Sequence, residues 1–318
     1  MNALRSARLT PIAAALFAAS LAPLATPAHA VTADATPPGY NANCNCYRNV
    51  AYGTTTWYEP TTRKYAKQVM DIWMPANITR AEGAPIVYYG HPNGVGNYIA
   101  MDTAPGSLWS RVVKPLTDRG YIVVSYEFRH PVVNYVAGNP VPRYDIQKAI
   151  NYFTNNYAST LVADPSNSFI AGQSRGAGLG LLTALTGVFT GKTKVQALWT
   201  YQAQTSFNCN EMAKTYVIES DRATFLSQCV QVDGAGSSLQ SVSPSSPPVV
   251  AVYERAFHKV LVPASEVDVH YPDFGWQLCK RYGAQGLSAQ CSPVENVVDG
   301  DAWVGMANFF DQHVQPAM

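Results

Sequence analysis

Charge is sparse in this chain and almost evenly divided. The 318 residues hold 22 Lys and Arg against 21 Asp and Glu, for a net charge of +1. No basic cluster is available to neutralise phosphates, and binding a nucleic acid takes several cations side by side. Nucleic acid is therefore not an expected partner. Long apolar runs are also missing: outside the N-terminus none approaches the roughly 20 residues that cross a bilayer. Metal-type cysteine spacing is absent as well. Cys44-Asn45-Cys46 has one intervening residue, which does not match usual zinc pairs. Neither a metal nor a cofactor is expected.

What the chain does have begins at its N-terminus. Arg5 and Arg8 precede an apolar run from Ile12 to Ala25, and Ala28-His29-Ala30 supplies small residues around a cleavage point. That order of features predicts an export signal over residues 1–30 rather than structure. Residues 31–318 are then expected to form one domain, soluble, and secreted or periplasmic. The six cysteines, Cys44, Cys46, Cys209, Cys229, Cys279 and Cys291, fit disulfides in an oxidising compartment. Proximity points to Cys209–Cys229 and Cys279–Cys291.

Along the chain, strand-like and helix-like patterns alternate, as in an α/β sheet. Gln68 to Trp73 alternates apolar and polar like an antiparallel edge strand. Ala84 to Tyr89 and Tyr121 to Tyr126 are continuous apolar runs, expected of strands buried on both faces. Leu108 to Leu116 has helical spacing, and Pro142 opens a helix carrying Ile146, Ile150 and Phe153 on one side. Ser168 to Ala171 and Val195 to Tyr201 read as further strands. The rhythm breaks over residues 204–247, which suits an inserted cap or functional loop. It resumes with a strand at Val249–Tyr253, a helix at Pro272–Tyr282, a last strand at Val294–Val298 and a closing helix at Ala302–His313.

The strongest chemical signal is Gly172-Gln173-Ser174-Arg175-Gly176. It fits G-x-S-x-G and lies between a short apolar strand and an apolar helix. A tight strand-to-helix turn needs small residues beside the serine, and it lifts the hydroxyl above the sheet where a base can reach it. The helix N-terminus behind it favours developing negative charge.

With this turn go Tyr52-Gly53, Met70 to Pro75, Pro85-Ile86-Val87 and Asp145 to Ala149, in matching order and spacing. On these residues, segment 49–190 resembles the esterase/lipase branch of the α/β-hydrolases, near the feruloyl- and carboxylesterase-like groups. The resemblance implies a mostly parallel central sheet flanked by helices, and a secreted serine hydrolase of carboxylic esters, small or polymeric, acting through an acyl-enzyme on Ser174. It places an oxyanion loop at His91-Pro92-Asn93-Gly94, where the family has His-Gly-Gly-Gly. The backbone N–H groups of Asn93, Gly94 and Arg175 are the expected oxyanion donors, since Pro92 has none. His91 is expected to organise the turn.

The same chain order calls for an acid after the strand ending near Tyr253 and a histidine after the last strand. Among Glu254, Glu266, Asp268 and Asp273, the acid is expected at Asp268. Where the family has its histidine, the chain reads Asp299-Gly300-Asp301. Without an imidazole the serine proton has no acceptor with a pKa near neutrality. His270, or less favourably His258, is the candidate base if the 254–270 loop folds back, whereas His313 falls in the closing helix. The competing expectation is a hydrolase-fold binding protein that has lost turnover. The two part on whether an imidazole lies within hydrogen-bond reach of Ser174.

Overall fold

The computed structural model describes residues 37–59, 64–92, 107–129, 141–229 and 236–316. The expected signal over residues 1–30 lies outside them. The strands are β1 (Tyr40–Asn41), β2 (Cys46–Glu59), β3 (Lys64–Trp73), β4 (Ala84–Gly90), β5 (Ile122–Tyr126), β6 (Ala163–Gln173), β7 (Val195–Tyr201), β8 (Val249–Val252) and β9 (Cys291–Val294). They form one sheet in the order β1-β2-β3-β5-β4-β6-β7-β8-β9. Pairing is antiparallel from β1 to the β3–β5 contact and parallel from there to β9. This is the expected mostly parallel α/β sheet.

The helices are α1 (Lys114–Thr117), α2 (Val141–Asn156), α3 (Ser174–Thr186), α4 (Cys209–Tyr216), α5 (Arg222–Gln228), α6 (Ser238–Ser241), α7 (Asp273–Ala284) and α8 (Met306–Asp311). They cover both faces of the sheet, because successive strand side chains point to opposite sides. Ile86 and Tyr88 of β4 join one core with Ile146, Ile150 and Phe153 of α2, Leu179 of α3, and Phe274 and Leu278 of α7. Val87 and Tyr89 join the other core with Val112, Val113, Leu116 and, from α8, Met306 and Phe310. Burial on both faces is the reason the central strands read as unbroken apolar runs.

Several boundaries differ from the sequence expectation, each for a local reason. β3 is antiparallel as expected but is not an edge strand, since β2 and β1 lie outside it. The long β2 escapes its own pattern: Asn49 has a left-handed φ of 56° and the register shifts between Tyr47 and Val50, which interrupts the alternation. The last strand lies at Cys291–Val294, not Val294–Val298, because it pairs only as far as β8 extends; Val298 is exposed. The closing helix begins at Met306 rather than Ala302, behind Gly305 with φ 88°. The segment expected to be one helix from Leu108 is a π-turn at Trp109–Val113 followed by α1.

Cysteines pair as Cys44–Cys46, Cys209–Cys229 and Cys279–Cys291. The second staples α4 to the end of α5 within the segment that broke the strand–helix rhythm, and the third ties α7 to β9. Closing a 20-residue separation removes chain entropy from the unfolded state worth about 3 kcal/mol. The double replacement Cys209→Ser/Cys229→Ser is therefore expected to lower unfolding free energy by about that amount in urea titration. An unchanged midpoint would show that the segment holds itself without the staple.

Candidate active site

The direction of the chain crossovers locates the site before any side chain is considered. From β4 the chain passes to β5 on one side of it, whereas β6 lies on the other side and leads on to β7 and β8. In open α/β sheets such a switch leaves a crevice outside the carboxyl ends of the diverging strands. The carboxyl end of β4 is Gly90, followed by His91. The end of β6 is Gln173, followed by Ser174 at the start of α3.

Ser174 turns the chain from strand to helix in a left-handed conformation, φ 51°, which a non-glycine residue adopts at a cost. The glycines around it are there for space. A Cβ on Gly176 would come within 2.3 Å of the Gly90 backbone and 2.4 Å of the His91 carbonyl. One on Gly172 would meet Ala177 N at 2.8 Å. The turn and the end of β4 thus touch backbone to backbone.

The Ser174 Oγ lies 2.7 Å from His270 Nε2. This imidazole arrives on the segment between β8 and α7, not after the last strand. Its ring is half-buried, and that burial holds its pKa below the ordinary histidine range. The Asp268 carboxylate, and to a lesser degree Glu254, push the other way, while Arg255 adds to the lowering. Asp268 does not bond the ring. Its Oδ1 accepts from the His270 backbone N–H (2.8 Å) and pairs with Arg255 Nη2 (2.7 Å). Among the described residues, no carboxylate is hydrogen-bonded to the His270 imidazole.

The other candidates are engaged elsewhere. His258 stacks on Tyr271 and faces Glu266 at 3.8 Å. Asp273 accepts the backbone N–H groups of His258 (2.7 Å) and Lys259 (2.9 Å) at the start of α7. His313 Nδ1 bonds the Phe309 carbonyl at 2.8 Å. Asp301 stands in a short 3-10 turn, exposed. Arg175 occupies the first turn of α3 directly behind Ser174. Asn93 and Gly94 lie outside the described residues.

Three sets of contacts went unread in the sequence, although His91 was expected to organise its turn and Glu254 was among the candidate acids. His91 is buried, its Nδ1 2.6 Å from the Pro92 carbonyl and its Nε2 3.1 Å from Glu127 Oε1, and it stacks on Phe128. Tyr201, at the end of β7, places its hydroxyl between the carboxylates of Glu254 and Asp299, and Asp299 also takes Arg111 Nη1 at 3.0 Å. Arg255 reaches both Asp268 and the His270 carbonyl. Glu127, Tyr201 and Glu254 stand at or just beyond the carboxyl ends of their strands, the one positional signal that marked them for attention.

Comparison with known proteins agrees with this architecture. No curated protein sequence matches the chain. Among solved structures, a truncated carbohydrate esterase from gut microbiota superposes with a TM-score of 0.53 at 18% identity, over 88% of this chain and 98% of that one. Carboxyl esterase 2 of the mycorrhizal fungus Tuber melanosporum gives 0.52 at 15%, over 87% and 90%. A thermophilic esterase of the Planctomycetes species Thermogutta terrifontis, solved with butyrate bound, gives 0.52 at 15%, over 82% and 92%. At such identities the likeness is one of fold. The BD-FAE family model matches residues 70–232, just over half of the chain, so the protein belongs to the BD-FAE family of esterase/lipase-like α/β-hydrolases.

Proposed function

We propose that this chain is an exported serine hydrolase that cleaves carboxylic esters, small or polymeric, with Ser174 as nucleophile and His270 as general base. The observation that carries the reading is the 2.7 Å contact between Ser174 Oγ and His270 Nε2, which lies within the range proton transfer requires. A pKa held down by burial keeps Nε2 unprotonated at neutral pH and able to accept.

The steps follow from that geometry. Ser174 Oγ attacks the ester carbonyl while its proton passes to Nε2. The developing oxyanion faces the α3 N-terminus, where the Arg175 amide is one donor; the Asn93 and Gly94 amides are the others expected from the sequence. Collapse breaks the bond to the alcohol oxygen, which takes the proton from the imidazolium. Water then attacks the acyl-enzyme by the same relay and releases the carboxylic acid. Asp268 and Glu254 favour the imidazolium through space, since their negative charge lies near the ring. Export is supported by three disulfides among the described residues, and by the signal-like residues 1–30.

The reading as a binding protein rested on the histidine missing after the last strand. The His270 imidazole beside Ser174 supports the enzyme reading over that one. The test is labelling by a fluorophosphonate probe, which modifies only an activated serine. Wild-type protein is expected to label and Ser174→Ala to remain unlabelled. Equal labelling of both, or none of folded wild-type protein, would refute the assignment.

A further inference from the structure

A base delivered on a loop must be held in place by that loop. Residues 253–269 separate β8 from His270, and a segment of that length does not by itself fix an imidazole to the few tenths of an ångström that proton transfer demands. The main chain of His270 is tied on both sides. Its N–H donates to Asp268 Oδ1 at 2.8 Å, and its carbonyl accepts from Arg255 Nη2 at 2.9 Å. The two ties meet, because the same Arg255 Nη2 donates to the same Asp268 Oδ1 at 2.7 Å. Arg255 stands three residues beyond the end of β8 (Val252), so the clamp anchors the loop to the sheet.

We infer that Arg255 is a positioning residue for the base: closed onto Asp268, it grips the His270 peptide and holds the imidazole over Ser174. This deepens the proposed function and rests on its assignment of Ser174 and His270. The clamp is open to solvent, with side-chain exposures of 47% for Arg255 and 54% for Asp268. Exposed ion pairs add little to global stability. A purely structural role would therefore be weak, and a positioning role should show in turnover while the fold is hardly affected.

The charges add a second signature. Those facing the imidazole are Glu254, Arg255 and Asp268, all from its own loop. Arg255 disfavours protonation of the ring and Asp268 favours it. Losing Arg255 should move the acid limb of the pH profile up, and losing the Asp268 charge should move it down.

The experiment is hydrolysis of 4-nitrophenyl acetate across pH by wild type, Arg255→Ala, Arg255→Lys, Asp268→Asn and His270→Ala, with thermal unfolding followed by circular dichroism. Arg255→Ala is expected to lose about tenfold in kcat with KM nearly unchanged. Arg255→Lys should recover most of it, and the acid limbs of Arg255→Ala and Asp268→Asn should shift in opposite directions. Wild-type kcat and an unmoved profile in Arg255→Ala, beside an inactive His270→Ala, would overturn the clamp and leave the base assignment standing. Activity retained in His270→Ala would bring down both. Should Arg255→Ala fail to fold, Asp268→Asn carries the test: it is expected to lose kcat and to shift its acid limb down, and a wild-type kcat with an unshifted limb would overturn the clamp.

Discussion

His270→Ala is expected to lower kcat for ester hydrolysis by about 10⁴–10⁶-fold, as much as Ser174→Ala, because residues that act as one unit fail together. The double variant should be little worse than either single one. In the wild type, the acid limb of kcat/KM should fall below the ordinary histidine value, since burial holds the free enzyme's imidazole down. The sign for stability is the same. The folded state takes up the His270 proton less readily than the unfolded chain, so this group's contribution is fully present above the unfolded pKa and is lost as pH falls from there through the lower folded pKa. Rates measured from mildly acidic to basic pH check the first statement. An acid limb above the ordinary histidine value would mean that the ring is charge-stabilised and that Asp268 and Glu254 outweigh burial. A His270→Ala variant within tenfold of wild type would mean that another group takes the proton.

Asp145→Ala is expected to cost about 3–5 kcal/mol of stability, the largest single loss foreseen outside the core, because it strands a cation. Asp145 on α2 is 1% exposed. It accepts Arg129 Nε at 2.7 Å, Arg129 Nη2 at 2.6 Å, the Arg129 backbone N–H at 3.0 Å and Gln68 Nε2 at 2.7 Å. Without the carboxylate, a largely buried guanidinium keeps its desolvation cost and loses its counter-charge. The damage should also reach the site. Arg129 lies two residues beyond Glu127, which bonds His91 just past the end of β4, so loosening the end of β5 should, on the proposed function, lower kcat as well as the denaturation midpoint. Paired replacement of Asp145 and Arg129 by apolar residues of similar size should recover much of the stability. Urea titration measures both. A loss below 1 kcal/mol for Asp145→Ala would show that water reaches the pair and that it is not buried in the energetic sense.

Much of the fold was legible because its causes are local. The apolar runs at Ala84–Tyr89 and Tyr121–Tyr126, and the spacing of Ile146, Ile150 and Phe153, mark buried strands and a helix face by periodicity alone. Boundaries were missed where a backbone special or a partner strand intervened, as at Asn49 in β2, Gly305 before α8, and the short β8 that limits β9.

The sequence by itself determined the serine turn, since the glycines at 172 and 176 answer a steric demand within a few residues of Ser174. It also narrowed the base to the histidines of one loop. What only the tertiary structure decided is which of them reaches the serine. His270 and Ser174 are 96 positions apart, and no periodicity encodes how residues 253–272 return across the carboxyl edge of the sheet. That path depends on contacts between distant groups, such as Arg255 with the His270 carbonyl and His258 with Tyr271. Spacing along a chain carries short-range geometry, whereas a site assembled from several loops exists only after the sheet has brought their ends together.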